Sequence, residues 1–310
     1  MTFALVADVM IVVLLLGLAY WVNAATGAFV AVVGYVAFGL LLALAWMRLA
    51  AGDVALTEAA VGSGVTGAVL VAAAMRLRGT EVATRPTTAQ RLTALAVVGP
   101  VTVGLAALVL WSTDPPPSLA GAAAAHLSVF GMENAVTSVL IGYRALDTLL
   151  EKIVLLLALA GVWSLTRDSV WGGRPWPHAQ RPDNGAMVLF ARLLPPIGIV
   201  VAVYILWVGA TDPGGAFQGG AILTAMWLLV MMAGLRDVPA IDSRALRLCV
   251  TVGPAAFLVV GLTGFALPTG FLSYPASIAK PLIIAVEAVL TLSIAVILGL
   301  LVTGPAERPR

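Results

Sequence analysis

Four ionisable residues open an otherwise apolar stretch, GYRALDTLLEKIVLLLALAGVWSL at 142–165: Arg144, Asp147, Glu151 and Lys152. In a helix, the first three lie on one face because they are three and four residues apart. A cation beside two acids holds one acid ionised and leaves the other free to exchange protons. The spacing predicts a proton or cation relay, with Lys152 about 100° away around the helix and requiring its own partner or a hydrated path. The alternative is a charge cluster that anchors the helix end.

Glu58 is a second candidate, in the stretch DVALTEAAVGSGVTGAVLVAAAM. Asp53 and Thr57 are predicted to cap the helix start, which puts Glu58 about one turn inside it. Small residues that allow close helix packing follow at positions 60, 64 and 67. An acid beside a tight helix interface suggests a proton or cation relay. The alternative is an interfacial Glu stabilised by the helix N-terminus.

Glu287 lies about two turns into the last apolar stretch. Ionisable residues at that depth in a membrane are rare and mark ion paths, so we predict a relay role. Lys280 is roughly 10 Å back along the helix, too far for direct pairing. The alternative is a buried acid paired with another helix. Asp8 is a weaker candidate, because it is close enough to the outer end of the first stretch to be solvated.

The composition is that of an integral membrane protein. Residues are 61% hydrophobic and 10% charged, and the mean hydropathy is +1.05; soluble domains carry about 25% charged residues. Apolar runs of about 20 residues without period-two alternation predict an all-α fold. One cysteine and two histidines argue against a disulfide framework, an iron–sulfur site or a metal site. We expect no cofactor and no nucleic-acid partner.

Nine spans are predicted, at 3–21, 27–46, 55–75, 92–111, 146–165, 188–208, 221–235, 246–267 and 281–302. The seventh is short for a membrane span, so it is predicted to extend upstream through Gly219. The loops after spans three, five and seven and the C-terminus hold 13 of the 17 Lys and Arg residues. By the positive-inside rule, the N-terminus lies outside and the C-terminus in the cytoplasm. A cleaved signal peptide is the alternative for span one, although a positive n-region is missing.

Two polar linkers, at 76–91 and 166–184, divide the chain into pieces of 1–80, 81–183 and 184–310. A rigid outer turn is predicted at the prolines of 114–117. Between spans six and seven lies ATDPGGAFQGGA, at 210–221. Its glycine density predicts one of two forms. The first is a chain that re-enters the membrane edge, where it packs against protein or lines a cavity. The second is a tight outer turn. Phe217 and Gln218 would be its contact residues.

Three stretches together resemble small membrane subunits of known ion-translocating complexes. DVALTEAAVGSGVTGAVLVAAAMRL resembles the MbhD subunit of membrane-bound hydrogenases. ENAVTSVLIGYRALDTLLEKIVLLLALAGVWSL resembles an MbhE-like piece with the pattern YRGFDTLGE. DPGGAFQGGAILTAMWLLVMMAG resembles the MrpB (MnhB) subunit of Mrp-type sodium/proton antiporters. The order of the stretches matches the order of those subunits, so the chain resembles their fusion.

The resemblance implies a multi-pass subunit of the bacterial or archaeal cytoplasmic membrane that belongs to a monovalent cation/proton antiporter and is not itself an enzyme. Glu58 matches the acid of ALTE, and Asp147 and Glu151 match those of the FDTLGE pattern. The residues that match the MrpB-like turn are Pro213, Gly214, Gly215, Phe217 and Gly219. Ala145, Leu146 and Leu150 depart from the pattern, and the loss of glycine there puts close packing in doubt.

The chain lacks a long antiporter-like domain, so the implied partners include a large antiporter-like subunit, other Mrp-type or hydrogenase-type subunits, the lipid bilayer, H⁺ and Na⁺. Two other functions stay open at this point. One is a scaffold that conducts no ions, and the other is the membrane arm of a hydrogenase-type or Complex I-like redox complex. A stand-alone carrier is disfavoured, because no inverted repeat with paired broken helices is apparent.

Overall fold

The computed structural model describes residues 3–77, 87–111, 118–175 and 185–306, and in these ranges the chain is almost entirely helical. The nine long helices are α1 (Phe3–Ala24), α2 (Ala28–Arg48), α3 (Gly52–Thr57, continued by Glu58–Val65 and Thr66–Leu77), α4 (Thr88–Trp111), α5 (Ala145–Ser164), α6 (Gly185–Val208), α7 (Ala216–Met232), α8 (Arg244–Thr263) and α9 (Ala279–Thr303). The all-α prediction is confirmed.

Each predicted span coincides with one of these helices, and within the described ranges seven helices are long and apolar enough to cross a membrane. The other two are α5, which carries Asp147, Glu151 and Lys152, and α7, which has 17 residues. The predicted upstream extension of the seventh span is correct, since α7 begins at Ala216. It ends at Met232 rather than at 235, because Gly234 takes a positive φ of 65° that stops the helix.

Contacts between loops agree with nine alternating spans. At one end, Arg174 forms an ion pair with Asp237 at 2.7 Å, and Pro175 bridges to Ala306. At the other end, the backbone N–H of Glu133 donates to the carbonyl of Ala210 at 3.0 Å. Which end faces the cytoplasm stays a prediction. The proline turn at 114–117 and the linker residues 78–86 and 176–184 lie outside the described residues.

The core is built around α9, whose residues are mostly buried. Helices α7 and α8 pack against it along much of their length, and α5 packs on both α8 and α9. The middle of α3 packs against α2 on one side and α7 on the other. In contrast, α4 has no buried residue. An apolar helix so exposed needs lipid or another chain around it.

Two segments are wound as π-helix, Glu58–Val65 and Ser138–Tyr143. The second follows a single turn, Ala135–Thr137, whose start is capped by the Asn134 side chain. The Thr148 hydroxyl donates to the carbonyl of Leu140 at 2.6 Å, which satisfies a backbone group in the widened helix. Such widened turns are frequent at functional sites, and both flank the cavity described next.

Candidate ion site

A cavity of about 420 Å³ lies where α3, α5, α7 and α9 meet. Most of its wall is apolar, including the backbone of the glycine turn that precedes α7. Its polar side chains come from all four helices and from the short turn Ala135–Thr137: Asp53, Thr57, Thr137, Thr148, Glu151, Lys152, Gln218 and Glu287. An apolar chamber with a few convergent ionisable groups is the usual form of a ligand site.

Lys152 is the cation of this cavity, and only 5% of the residue is exposed. Its Nζ lies 2.8 Å from Oε1 of Glu151 and 4.7 Å from the ring centroid of Phe217. Adjacent residues of a helix point about 100° apart and do not normally face each other. Here the Glu151 and Lys152 side chains are long enough to meet. The partner that the sequence required for Lys152 is therefore Glu151, together with the Phe217 ring supplied by α7.

Glu287 is the most deeply buried acid of the cavity, with 4% of the residue exposed. Its carboxylate lies beside the backbone of Gly215 and Ala216 and interacts electrostatically with Lys152. Ala216 is the first residue of α7, so the positive end of that helix also faces the acid. Glu287 thus contacts another helix, as expected for a buried structural acid. It also lines a cavity, as expected for a relay acid.

Gly215 holds the chain close to this acid. It has a φ of 121°, which favours glycine, and a Cβ there would sit 3.3 Å from Oε1 of Glu287. We expect Gly215→Ala to cost about 1–3 kcal/mol in backbone strain and to lower transport by displacing Glu287. Gly17→Ala is the control, because a Cβ at that position meets nothing within 4 Å. Equal stability and transport in the two variants would contradict the predicted constraint.

The predicted cluster on α5 is divided. Arg144 and Asp147 form an ion pair with each other, and their side chains are 69% and 50% exposed. Neither lines the cavity, whereas Glu151 turns to Lys152. The structure therefore brings Glu151, Lys152 and Glu287 together and leaves Asp147 about one turn away from them.

Glu58 lies on the other side of α3, facing α2. Gly62 and Gly39 make room for its carboxylate, since a Cβ on Gly62 would come within 2.3 Å of Oε1 and one on Gly39 within 3.2 Å. The Ser63 hydroxyl is buried beside Gly39 and has no hydrogen-bond partner in the described part of the chain. The small residues thus position an acid as well as packing helices. Glu58 does not line the cavity.

Asp8 lies at the exposed end of the α1–α2 pair. Its carboxylate pairs with the Arg48 guanidinium at 2.8 Å, and both side chains are nearly half exposed. Whether this end of the helix pair is solvated, as the sequence predicts, stays a prediction.

Asp53 has a different role from the predicted cap. The N-cap position of α3 is occupied by Ala51, and no side chain forms a capping hydrogen bond there. The capping prediction for Asp53 is therefore wrong. The carboxylate instead accepts the backbone N–H of Gly214 at 3.0 Å and the Asn134 amide at 3.4 Å. That amide also donates to the carbonyl of Asp212 at 2.8 Å. One side chain therefore joins all three predicted pieces at the mouth of the cavity.

The glycine turn is folded into protein on more than one side. The N–H of Gly215 donates to the carbonyl of Ile205 at 3.0 Å, and the Thr137 hydroxyl donates to the carbonyl of Gly209 at 2.7 Å. A Cβ on Gly214 would come within 2.4 Å of the Ile205 oxygen, and one on Gly220 within 2.8 Å of Ile294. The turn therefore packs against protein and a cavity, while its re-entry into the membrane edge stays a prediction.

We expect Asp53→Ala to destabilise the chain by about 2–3 kcal/mol, because the Gly214 N–H and the Asn134 amide lose a charged acceptor. Asp212→Ala is the matched control, since the Asp212 carboxylate pairs only with the neighbouring exposed Thr211 hydroxyl among the described groups. Limited proteolysis of the purified protein measures the difference. Equal protease resistance in the two variants would argue against Asp53 as the junction.

Sequence reasoning did not single out the cavity residue Thr148, or Asn134 and Tyr274, which lie outside the cavity lining but interact with Asp53 and Glu287. Asn134 precedes an apolar run in ENAVTS, which is a cap signal, but its contacts to distant segments leave no local trace. The Tyr274 hydroxyl is buried and has no hydrogen-bond partner among the described residues. Burial, with a smaller contribution from the Glu287 charge, raises the pKa of Tyr274, so its hydroxyl stays protonated.

Comparison with known families supports two of the three predicted pieces. Residues 186–306 match the family of domains related to the MnhB subunit of Na⁺/H⁺ antiporters. Residues 13–79 match the MbhD family, named for a subunit of the MBH complex. The middle piece, and the exact boundaries of all three, stay predictions.

Relatives and solved structures extend the match. An uncharacterized protein of Methanocaldococcus jannaschii is 29% identical over 154 residues, 45% of this chain and 59% of that protein. A chain of the Mrp complex from Dietzia sp. DQ12-45-1b superposes with a TM-score of 0.77 at 25% identity, over 96% of this chain and 35% of that one. A chain of an archaeal membrane-bound sulfane sulfur reductase superposes over 68% of this chain and 96% of that one, with a TM-score of 0.55 and 24% identity, which indicates a shared fold.

Proposed function

We propose that this chain, a fusion of an MbhD-like and an MnhB-like piece, serves a Mrp-type antiporter or related complex of the prokaryotic cytoplasmic membrane by supplying a carboxylate–lysine site to its cation path. The observation that carries the proposal is the burial of Lys152 and Glu287 on one cavity, with Glu151 beside them. Isolated charges are costly in hydrocarbon and persist where they pair or serve an ion path.

The proposed mechanism is an exchange of partners around Glu287. When Lys152 faces Glu287, the acid is neutralised by the ammonium and holds no ion. When Lys152 turns fully to Glu151, Glu287 becomes available to a proton or a monovalent cation. Phe217 lies against the ammonium in the observed arrangement, and a cation over an aromatic face is stabilised without a strong bond. In the observed arrangement Lys152 is paired with Glu151 at 2.8 Å, so the proposed second state requires its ammonium to leave Glu151 and turn to Glu287.

In this proposal the chain is not an enzyme and needs no cofactor. It acts with other membrane subunits, including a large antiporter-like one, and the transported ions are H⁺ and a monovalent cation such as Na⁺. The chain spans only part of the Mrp chain it resembles, so these partners are inferred from that likeness. The exposed apolar helix α4 offers a surface for lipid or a neighbouring subunit.

The direct experiment is cation/proton exchange in everted membrane vesicles that contain the complex. A Glu151→Gln variant is expected to slow exchange, since Lys152 loses its alternative partner and remains on Glu287. An Asp147→Asn variant should retain exchange if the cavity alone is the site. Loss of exchange in Asp147→Asn with normal assembly would extend the path to the exposed Arg144–Asp147 pair. Unchanged exchange in Glu151→Gln would contradict the proposed switch.

A scaffold that conducts no ions is the second candidate, and the junction at Asp53 favours it, because one carboxylate holds together segments from all three pieces. Measuring transport and assembly in a Glu58→Gln variant distinguishes a relay role from a scaffold role for Glu58, which lies outside the cavity. Lost transport with normal assembly indicates a relay through Glu58, and loss of both indicates a structural role. For a redox-linked complex, the decisive observation is the set of co-purified chains: iron–sulfur or nickel–iron subunits favour it, and membrane subunits alone favour the antiporter.

A further inference from the structure

A second cavity, of about 400 Å³, shares no lining residue with the first and lies between the end of α5 and the start of α8. Trp163 is the penultimate residue of α5, and Arg247, Val250 and Thr251 belong to the first two turns of α8. Trp171 and Ile241 from the adjoining loops complete the lining. The end of α5 and the start of α8 meet here, so this groove is expected at the boundary between the apolar layer and the headgroups.

The floor of the groove is fixed by packing and backbone bonds. Ile241 and Val250 are buried, and the N–H of Ile241 donates to the carbonyl of Gly173 at 3.0 Å. The Arg247 guanidinium uses Nε to donate to the carbonyl of Ile241 at 3.0 Å. This bond holds the guanidinium at the groove, and among the described residues its two terminal nitrogens make no hydrogen bond and can meet a ligand.

The chemistry of the lining is that of an anion site with an apolar wall. Arg presents paired N–H donors that match a phosphate. The Trp163 indole nitrogen is buried and has no acceptor among the described residues, while Trp171 is half exposed. Tryptophan is enriched at the headgroup level of membranes.

The surrounding charge is positive. The described loop residues 166–175 and 236–243, with the first turn of α8, carry five arginines against three aspartates, and one of each is consumed in the Arg174–Asp237 pair. The arginines are Arg167, Arg174, Arg236, Arg244 and Arg247, and the aspartates are Asp168, Asp237 and Asp242. Basic pockets between helices at such an end bind anionic lipid headgroups.

We propose that this groove binds one anionic phospholipid, with its phosphate on Arg247 and its acyl chain along the apolar side lined by Trp171 and Val250. The lipid would join the end of α5 to the start of α8, and α5 carries Lys152 in its first half. This inference is independent of the proposed ion site, because it rests on a different cavity.

The test is native mass spectrometry of the purified complex after delipidation and titration with short-chain phosphatidylglycerol. Phosphatidylcholine, which has the same phosphodiester without net charge, is the comparison lipid. We expect one tightly bound phosphatidylglycerol per chain, with occupancy at least about tenfold lower in Arg247→Gln. Arg244→Gln is the matched control, since Arg244 is exposed on the same helix end and does not line the groove.

A second variant covers the case in which Arg247→Gln fails to fold. Thr251→Trp fills the groove from an exposed position and leaves Arg247 in place, and it too is expected to lower lipid occupancy. Equal occupancy in wild type, Arg247→Gln and Thr251→Trp would overturn the proposal. So would equal binding of phosphatidylcholine, or a neighbouring subunit that cross-links into the groove in the intact complex.

Discussion

Glu287→Gln is expected to lower cation/proton exchange by about 100-fold or more while the complex still assembles. An amide of the same size keeps the packing around the buried site but cannot hold a cation or release a proton, and groups that transfer protons contribute about 100-fold or more to rates. Exchange is measured in everted vesicles as the collapse of an imposed pH gradient on addition of Na⁺. Assembly is measured by co-purification of the partner subunits.

The control for Glu287→Gln is Glu133→Gln. Glu133 is exposed, and its backbone N–H, rather than its carboxylate, makes the hydrogen bond to Ala210. The same chemical change there should leave exchange unaltered. Exchange that survives at the wild-type rate in Glu287→Gln would exclude Glu287 from the path, whatever the control shows.

Lys152→Met is expected to destabilise the protein by about 3 kcal/mol, because Glu287 would remain buried without its cation. A double variant, Lys152→Met with Glu287→Gln, should recover part of this loss, since neither of the two buried groups is then charged. The coupling between the two substitutions should be about 1 kcal/mol or more, as found for residues in one network. Unfolding in mixed detergent micelles, titrated with SDS, gives the three free energies.

The matched pair for this cycle is Arg144→Met with Asp147→Asn, an ion pair on the same helix whose side chains are half exposed or more. Its coupling should be within about 1 kcal/mol of zero, because solvent screens exposed pairs. If Lys152 and Glu287 were as weakly coupled as this exposed pair, the two groups would not form one site.

The sequence was informative wherever composition and local spacing decide the outcome. Apolar runs of span length predicted all nine long helices of the described ranges, and the acid at 287 stood out because carboxylates are rare at that depth. The short seventh span was also predicted to extend upstream, which it does at Ala216. These features depend on residues close together in the chain.

The arrangement of the site could not be inferred from spacing alone. Helical periodicity grouped Arg144, Asp147 and Glu151 on one face and set Lys152 apart. In the structure, however, the pairing follows burial, because a buried charge requires a nearby partner. Packing of α5 against α9 buries Lys152 and leaves Asp147 half exposed. Tertiary contacts determine which of these charges is buried, and a helical wheel contains no information about them.

Asp53 illustrates the same limit in another form. An acid at a helix start is well described by local capping rules, so the local sequence offers no reason to look further. Its actual partners, Asn134 and Gly214, are 81 and 161 residues away. Only assembly of the three pieces brings them together, and the glycine turn supplies the backbone N–H that the carboxylate accepts.

The most direct measurement is an infrared difference spectrum of the purified complex, recorded with and without Na⁺. If a cation displaces a proton from the buried acid beside Lys152, the carboxylic C=O band of that acid should disappear on Na⁺ addition. The band change should be absent in Glu287→Gln and intact in Glu133→Gln. An identical Na⁺-induced spectrum in wild type and Glu287→Gln would contradict the account.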